Sequence, residues 1–143
     1  MELGQSRQMK KYGMRLVAEL IVVALVPLIF RFIENRLYAG MVAGTVFILV
    51  GLYVIWPGVR QPDERKCFSF WAGLLHLVVS GLPLLVTRVL NASSKFEDVM
   101  VLGLPGPVFH RFSTAIFSVL LIATSLDLLV AFRRSRFPDR KSS

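Results

Sequence analysis

Cysteine occurs once in this 143-residue chain, at Cys67, and histidine twice, at His76 and His110. One thiol excludes an intramolecular disulfide framework and any multi-cysteine metal or iron–sulfur centre. The two histidines do not suit a bis-histidine haem. His110 opens its apolar segment, whereas His76 lies 14 residues before the end of another at Leu90, about 20 Å away along a helix. Zinc ligands of the usual kind and spacing are missing. So are a nucleophile motif, a phosphate-binding glycine loop and paired carboxylates in a catalytic context. The sequence therefore calls for no catalytic residue, no metal and no cofactor. It also contains no internal repeat and no low-complexity tract.

Acidic residues are scarce as well, 9 against 17 Lys+Arg, giving a formal net charge of +8. Such a balance can mark a nucleic-acid binder, but here the bases gather at the ends of apolar runs, where they act as topology signals. Nucleic acid is not an expected partner. What is abundant is hydrophobic side chain, 55% of the residues, with mean hydropathy +0.62. That lies outside the range of soluble globular domains.

The organising stretch is the last apolar run, Phe112 to Phe132, followed at once by Arg133, Arg134 and Arg136. At about 1.5 Å per residue it covers roughly 30 Å, the thickness of a bilayer's hydrocarbon core. Three more runs of similar length precede it. The fold predicted is an all-α integral membrane protein with four transmembrane helices, about 16–33, 37–56, 68–90 and 109–132, packed as a bundle. A short interfacial helix at about 95–102 is expected in the third connection. Residues 1–15 form a basic leader, 16–132 the transmembrane domain and 133–143 a basic tail expected to be disordered. The run Leu16 to Phe30 follows basic residues as a secretory signal would. No small-residue cleavage site comes after it, so it reads as retained.

Each segment carries its own punctuation. Glu34, Asn35 and Arg36 leave room only for a tight hairpin between the first two spans. The second span is uncharged, and Gly40, Gly44 and Gly51 let a neighbouring helix approach closely before Pro57 and Gly58 end it. In the third span Ser69, Gly73, His76, Ser80, Pro83 and Thr87 recur every three or four residues, one small and polar face directed at other helices or a cleft. Ser94 with Glu97 has the form of a capping box for the short helix, which Gly103 to Pro107 then breaks. Val99 to Leu102 is too apolar for a solvated loop and should lie on the membrane surface or fold back over the bundle.

With four spans both termini share one side. That side collects 12 basic residues and the other 5, so the positive-inside rule puts both termini in the cytoplasm and the protein in the cell membrane. Glu19 then lies about 6 Å past Arg15, Asp127 about 8 Å inside Phe132 and His76 about 12 Å inside Phe68, all in the cytoplasmic half. Intramembrane ionisable groups mark ion paths or substrate sites, so a cluster of Glu19, His76 and Asp127 is the sharpest functional candidate. Each residue also has a structural reading. Glu19 is one turn from Arg15 and suits a salt bridge; Asp127 can pair with Arg133 or Arg134 or cap a neighbour; His76 can bond an adjacent helix. Arg88, His110 and Arg111 form a weaker outer-face candidate for an anion or headgroup. Gly40, Gly44, Gly51, Gly73 and Ser80 are assigned to helix packing, and Cys67 to an inert thiol or an S-acylation site.

The functional reading is an accessory or binding subunit without catalytic signature. Its anticipated partners are the lipid bilayer and either other membrane subunits or further copies of the chain. The alternatives are a small proton- or ion-coupled transporter using Glu19, His76 and Asp127, and a membrane-embedded enzyme acting on a lipid or quinone.

Overall fold

A computed structural model of the chain describes residues 2–136, and of these the side chains from Ser6 onward. Four helices run up and down: α1 Glu2–Phe32, α2 Arg36–Arg60, α3 Phe68–Leu90 and α4 Gly106–Arg136. All four are long and apolar enough to cross a membrane. α1 packs against α2 and α4, and α3 against the same two, so the helices form a ring with α1 and α3 on one diagonal. One end of the bundle holds the start of α1, the α2–α3 connection and the end of α4. The far end holds the other two connections.

Helix boundaries are set partly by local residues and partly by tertiary contact. Asn35 caps α2 by accepting hydrogen bonds from the backbone N–H of Leu37 at 3.0 Å and Tyr38 at 3.3 Å. The α1–α2 hairpin is as tight as the sequence requires, with only 33–35 outside helix. At the other end of α2 the expected stop at Pro57 and Gly58 does not occur, and the helix runs on to Arg60. Gly58 is the reason: a Cβ there would strike the Phe70 ring, so its absence lets α3 press on this turn, while Arg65 Nε donates to the Gly58 carbonyl at 2.9 Å. Tertiary contact thus holds a turn that local propensity would release. The leader behaves likewise, since residues 2–15 are helical and continuous with α1. Of the basic tail expected to lack order, Arg133 to Arg136 continue α4, and the rest lies outside the described residues.

The third connection is the main correction to the sequence reading. In place of a helix over 95–102 it forms a single 3-10 turn, Phe96–Asp98, and a two-stranded hairpin, β1 Met100–Val101 with β2 Leu104–Pro105. Ser94 makes no capping bond, and Lys95 precedes the turn without side-chain support. Leu102 and Gly103 take φ of 50° and 82°, the pair of positive values a tight two-residue hairpin needs and one that Gly103 adopts without steric cost. Alternation then decides the outcome: Val99 and Val101 turn inward onto Phe109 with Leu84 beside them, and Met100 stays exposed. The segment folds back over the bundle, one of the two placements its apolarity suggested.

α3 is widened in the middle. Residues His76–Gly81 follow a π-helical path, and the Leu82 N–H reaches the Leu77 carbonyl five residues back. Pro83 has no N–H to give Val79 and its ring crowds that carbonyl, so the preceding turn opens. The small and polar face of α3 is buried over its first part, at Ser69, Gly73, His76 and Ser80, whereas Pro83 and Thr87 are half-buried.

The packing glycines divide by role. A Cβ on Gly51 would meet Leu77 Cδ2 at 2.8 Å, and one on Gly73 would meet Ile55 Cγ2 at 2.8 Å. Gly44 and Gly40 face α3 more loosely, 3.3 Å from Leu85 and 3.7 Å from the Arg88 Nε. All four glycines therefore serve contacts within the chain. We expect Gly51→Val to destabilise the bundle by about 1–3 kcal/mol, the range for overpacking a filled contact, and Gly40→Ala to be tolerated. Thermal unfolding of the detergent-solubilised variants measures both, and equal losses would refute the distinction.

Candidate functional site

Polar side chains join the helices at the end that holds both termini. Asp127, on α4, accepts hydrogen bonds from the backbone N–H of Phe68 at 3.0 Å and of Ser69 at 2.8 Å. These are the first residues of α3, whose leading N–H groups have no partner within their own helix. A carboxylate placed on them satisfies two donors and complements the positive end of the helix dipole. Of the structural readings open to Asp127, capping a neighbour is the geometry adopted.

One turn along α4, Thr124 donates from Oγ1 to Glu19 Oε1 at 2.6 Å, tying α4 to α1. Glu19 is fully buried, and its Oε2 has no hydrogen-bond partner. The expected Arg15–Glu19 salt bridge does not form. Arg15 turns instead to Glu64 in the α2–α3 connection, at 3.2 Å, and to Ser69 Oγ at 3.4 Å. Lys11 binds the other Glu64 oxygen at 2.9 Å. Glu64 escaped the sequence reading because it sits in a polar connection, 49 residues from Arg15, and no spacing rule links them. Cys67 lies beside this knot with Sγ 2.9 Å from the Tyr12 hydroxyl. Burial pushes its thiol pKa up, with the nearby Asp127 and Glu64 charges adding to the effect and the Tyr12 hydrogen bond and Arg15 opposing it. A thiol held protonated is a poor nucleophile, which favours the inert reading over acylation.

His76 stands apart from the two acids. It follows the Asp127-capped start of α3 by two turns, about 10–12 Å along the axis. No hydrogen bond or ion pair joins any two of Glu19, His76 and Asp127. The imidazole is 1% exposed and packs edge-on to Phe117, with ring centroids 5.3 Å apart, and to Phe47 at 6.1 Å. Neither ring nitrogen makes a hydrogen bond of ordinary length and angle, and the polar group facing the ring is the Phe47 backbone.

His76, Phe47 and Phe117 form the deepest polar and aromatic part of a cleft of about 620 Å³ in the far half of the bundle, to which all four helices contribute. Its walls are chiefly apolar. The hydroxyls on α4 are turned back on their own helix, Thr114 to the His110 carbonyl at 3.0 Å and Ser118 to the Thr114 carbonyl at 3.0 Å. Ser113, also in the wall, is hydrogen-bonded to Ser80. Val23 and Pro27 of α1 and Thr114 and Ser118 of α4 line the space and are exposed, so the cleft opens between these two helices. Gly40, Ala43 and Gly44 supply part of its width on α2.

At the far end Arg36, Arg88 and His110 line the same cleft, with Phe96 of the third connection. Two of the three residues singled out for an outer anion contact, Arg88 and His110, are thus brought together. Arg111 is exposed and does not line the cleft, and Arg36, at the start of α2, takes its place. In the sequence Arg36 reads only as a hairpin and topology residue, and its place one turn before Gly40 is the signal that points to the cleft.

Among the described residues no group of three His, Cys, Asp or Glu side chains is placed to hold a metal ion. Comparison with protein-family models, with curated proteins and with solved structures finds no match to this chain.

The Glu64 knot has a measurable consequence. Arg15 is 2% exposed, so removing its carboxylate partner strands a buried charge, at a cost of about 3–5 kcal/mol. Glu64→Ala should lower the unfolding temperature in detergent strongly. Asp63→Ala breaks an ion pair with Lys66 that lies in the open and should leave it unchanged. Similar behaviour of the two variants would show that the knot contributes nothing special.

Proposed function

We propose that the protein is a four-span membrane protein of the cell membrane that works by binding rather than by catalysis, an accessory or binding subunit whose working part is the far-half cleft. The observation that carries this reading is the distribution of side chains. Glu19, His76, Ser80, Thr124 and Asp127 are turned inward, while Ile21, Leu49, Val78 and Ile122 are exposed on the outer surfaces of the four helices. In water so large an apolar surface would drive aggregation, whereas in a bilayer it meets acyl chains and the inward polar groups are kept away from them.

Orientation follows from charge. The end that gathers the chain termini carries the basic excess, which supports cytoplasmic termini and a cleft in the opposite half of the bilayer. Reporter fusions at either terminus should both read as cytoplasmic, and opposite readings would remove the orientation. The cleft has the size of ligand sites in general, and its opening between α1 and α4 suits an occupant that arrives from the lipid phase.

A second reading, a proton-coupled carrier, draws on one observation: Glu19 Oε2 and both His76 nitrogens are buried without a hydrogen bond of ordinary length and angle. Loss of pH-driven flux in proteoliposomes on Glu19→Gln, with folding intact, would favour it over the first.

For the binding reading, protein extracted in mild detergent should carry a lipid-sized apolar adduct in native mass spectrometry. Ser118→Trp, which changes an exposed residue of the cleft wall, should release that adduct. Wild-type protein recovered without any adduct would sink the reading.

A further inference from the structure

We infer that the cleft is built for an anionic membrane phospholipid, with the phosphate held at the far end by Arg88, Arg36 and His110 and one acyl chain lying along the apolar walls down to Phe47 and Phe117. This rests on the binding reading above and adds the charge and shape of the ligand.

Charge is the first ground. Arg36, Arg88 and His110 line the far end of the cleft, and among the described residues no aspartate or glutamate lines it. Arg88 is the centre of this arrangement. Its Nη1 is buried and has no hydrogen-bond partner, a donor left unmet where an unmet donor is costly. Its guanidinium lies over the Phe96 ring, 4.9 Å from the centroid. Phe96 is itself fixed, because its carbonyl packs against Gly106, where a Cβ would collide with it, and the Gly106 N–H donates to the Val99 carbonyl at 2.8 Å. The 3-10 turn and hairpin therefore hold an arginine in place with a donor to spare. A phosphate oxygen is the acceptor such a planar, pre-set fork recognises best. A choline headgroup would bring its own cation into the same cationic mouth.

Shape is the second ground. From Arg36 to Phe47 is 11 residues of α2, about 16 Å of helix. Half of a roughly 30 Å hydrocarbon core is one leaflet, so the cleft is as deep as one acyl chain is long. The side opening between α1 and α4 lets the chain enter from the leaflet without the headgroup leaving the interface. A small soluble anion would use the arginines and leave the apolar walls beneath them uncovered.

The test uses the full chain in detergent, delipidated and then offered equimolar phosphatidylglycerol and phosphatidylcholine of identical chains, with bound lipid read by native mass spectrometry. We expect phosphatidylglycerol to be retained over phosphatidylcholine by about tenfold, equivalent to about 1.4 kcal/mol. Arg88→Gln should bring that ratio close to one while an adduct is still seen, and Arg111→Gln, outside the cleft, should leave it unchanged. Should Arg88→Gln fail to fold, Arg36→Gln at the exposed rim should lower the ratio in the same direction. Glycerol phosphate, the headgroup without a chain, should not be retained. Equal retention of the two lipids, an equal loss of preference with Arg111→Gln, or retention of glycerol phosphate alone would each overturn the lipid assignment while leaving the binding reading in place. Failure to retain either lipid would overturn both.

Discussion

The carboxylate of Asp127 on the leading N–H groups of α3 is the contact on which the rest of the bundle depends. An acid among apolar helices is costly unless its oxygens are met by donors, and a helix start is costly unless its N–H groups are met by acceptors. Each requirement answers the other, which fixes the level of α3 against α4. From that anchor Thr124 reaches Glu19 one turn on, and Ser69 reaches Arg15. α1 is thereby tied to α4 and, across the diagonal, to the start of α3, and Glu64 closes the knot from the α2–α3 connection.

The bundle is consequently asymmetric. Side-chain hydrogen bonds and ion pairs draw the helices together near the two termini. In the other half the contacts are Gly40 and Gly44 facing α3, the Ser80–Ser113 hydrogen bond, a widened turn in α3 and a hairpin laid over the top. Helices pinned at one end and spaced by small residues at the other leave a space between them, which is the origin of the cleft. Its ionisable residues sit at the two extremes, His76 in the depth and Arg36, Arg88 and His110 at the far end, and the hydroxyls of Ser113, Thr114 and Ser118 in the wall between them are engaged with other protein groups.

Much of this was legible from local pattern. The positions of the four helices followed from run length, the Asn35 hairpin from the three polar residues between two runs, and the inward face of α3 from the spacing of Ser69, Gly73, His76 and Ser80. The misreadings share one cause. Gly58 appeared to end α2, Ser94 to begin a helix and Arg15 to pair with Glu19, and each inference used only residues within a few positions of one another. Phe70 against Gly58, Phe109 under Val99 and Val101, and Glu64 beside Arg15 decided otherwise, and each acts through space from another element.

The amino-acid order alone determined the number of apolar segments, the turns between them and the end of the bundle at which the basic residues gather, because hydrophobic length and charge are properties of contiguous stretches. Which polar groups meet was settled only by the tertiary structure. Glu19 and Asp127 found partners on other helices, His76 was left facing two phenylalanines, and Arg36 joined Arg88 and His110 around a cleft. Such meetings depend on the rotation and level of each helix against its neighbours, and those are set by the sum of all contacts between them rather than by any one segment.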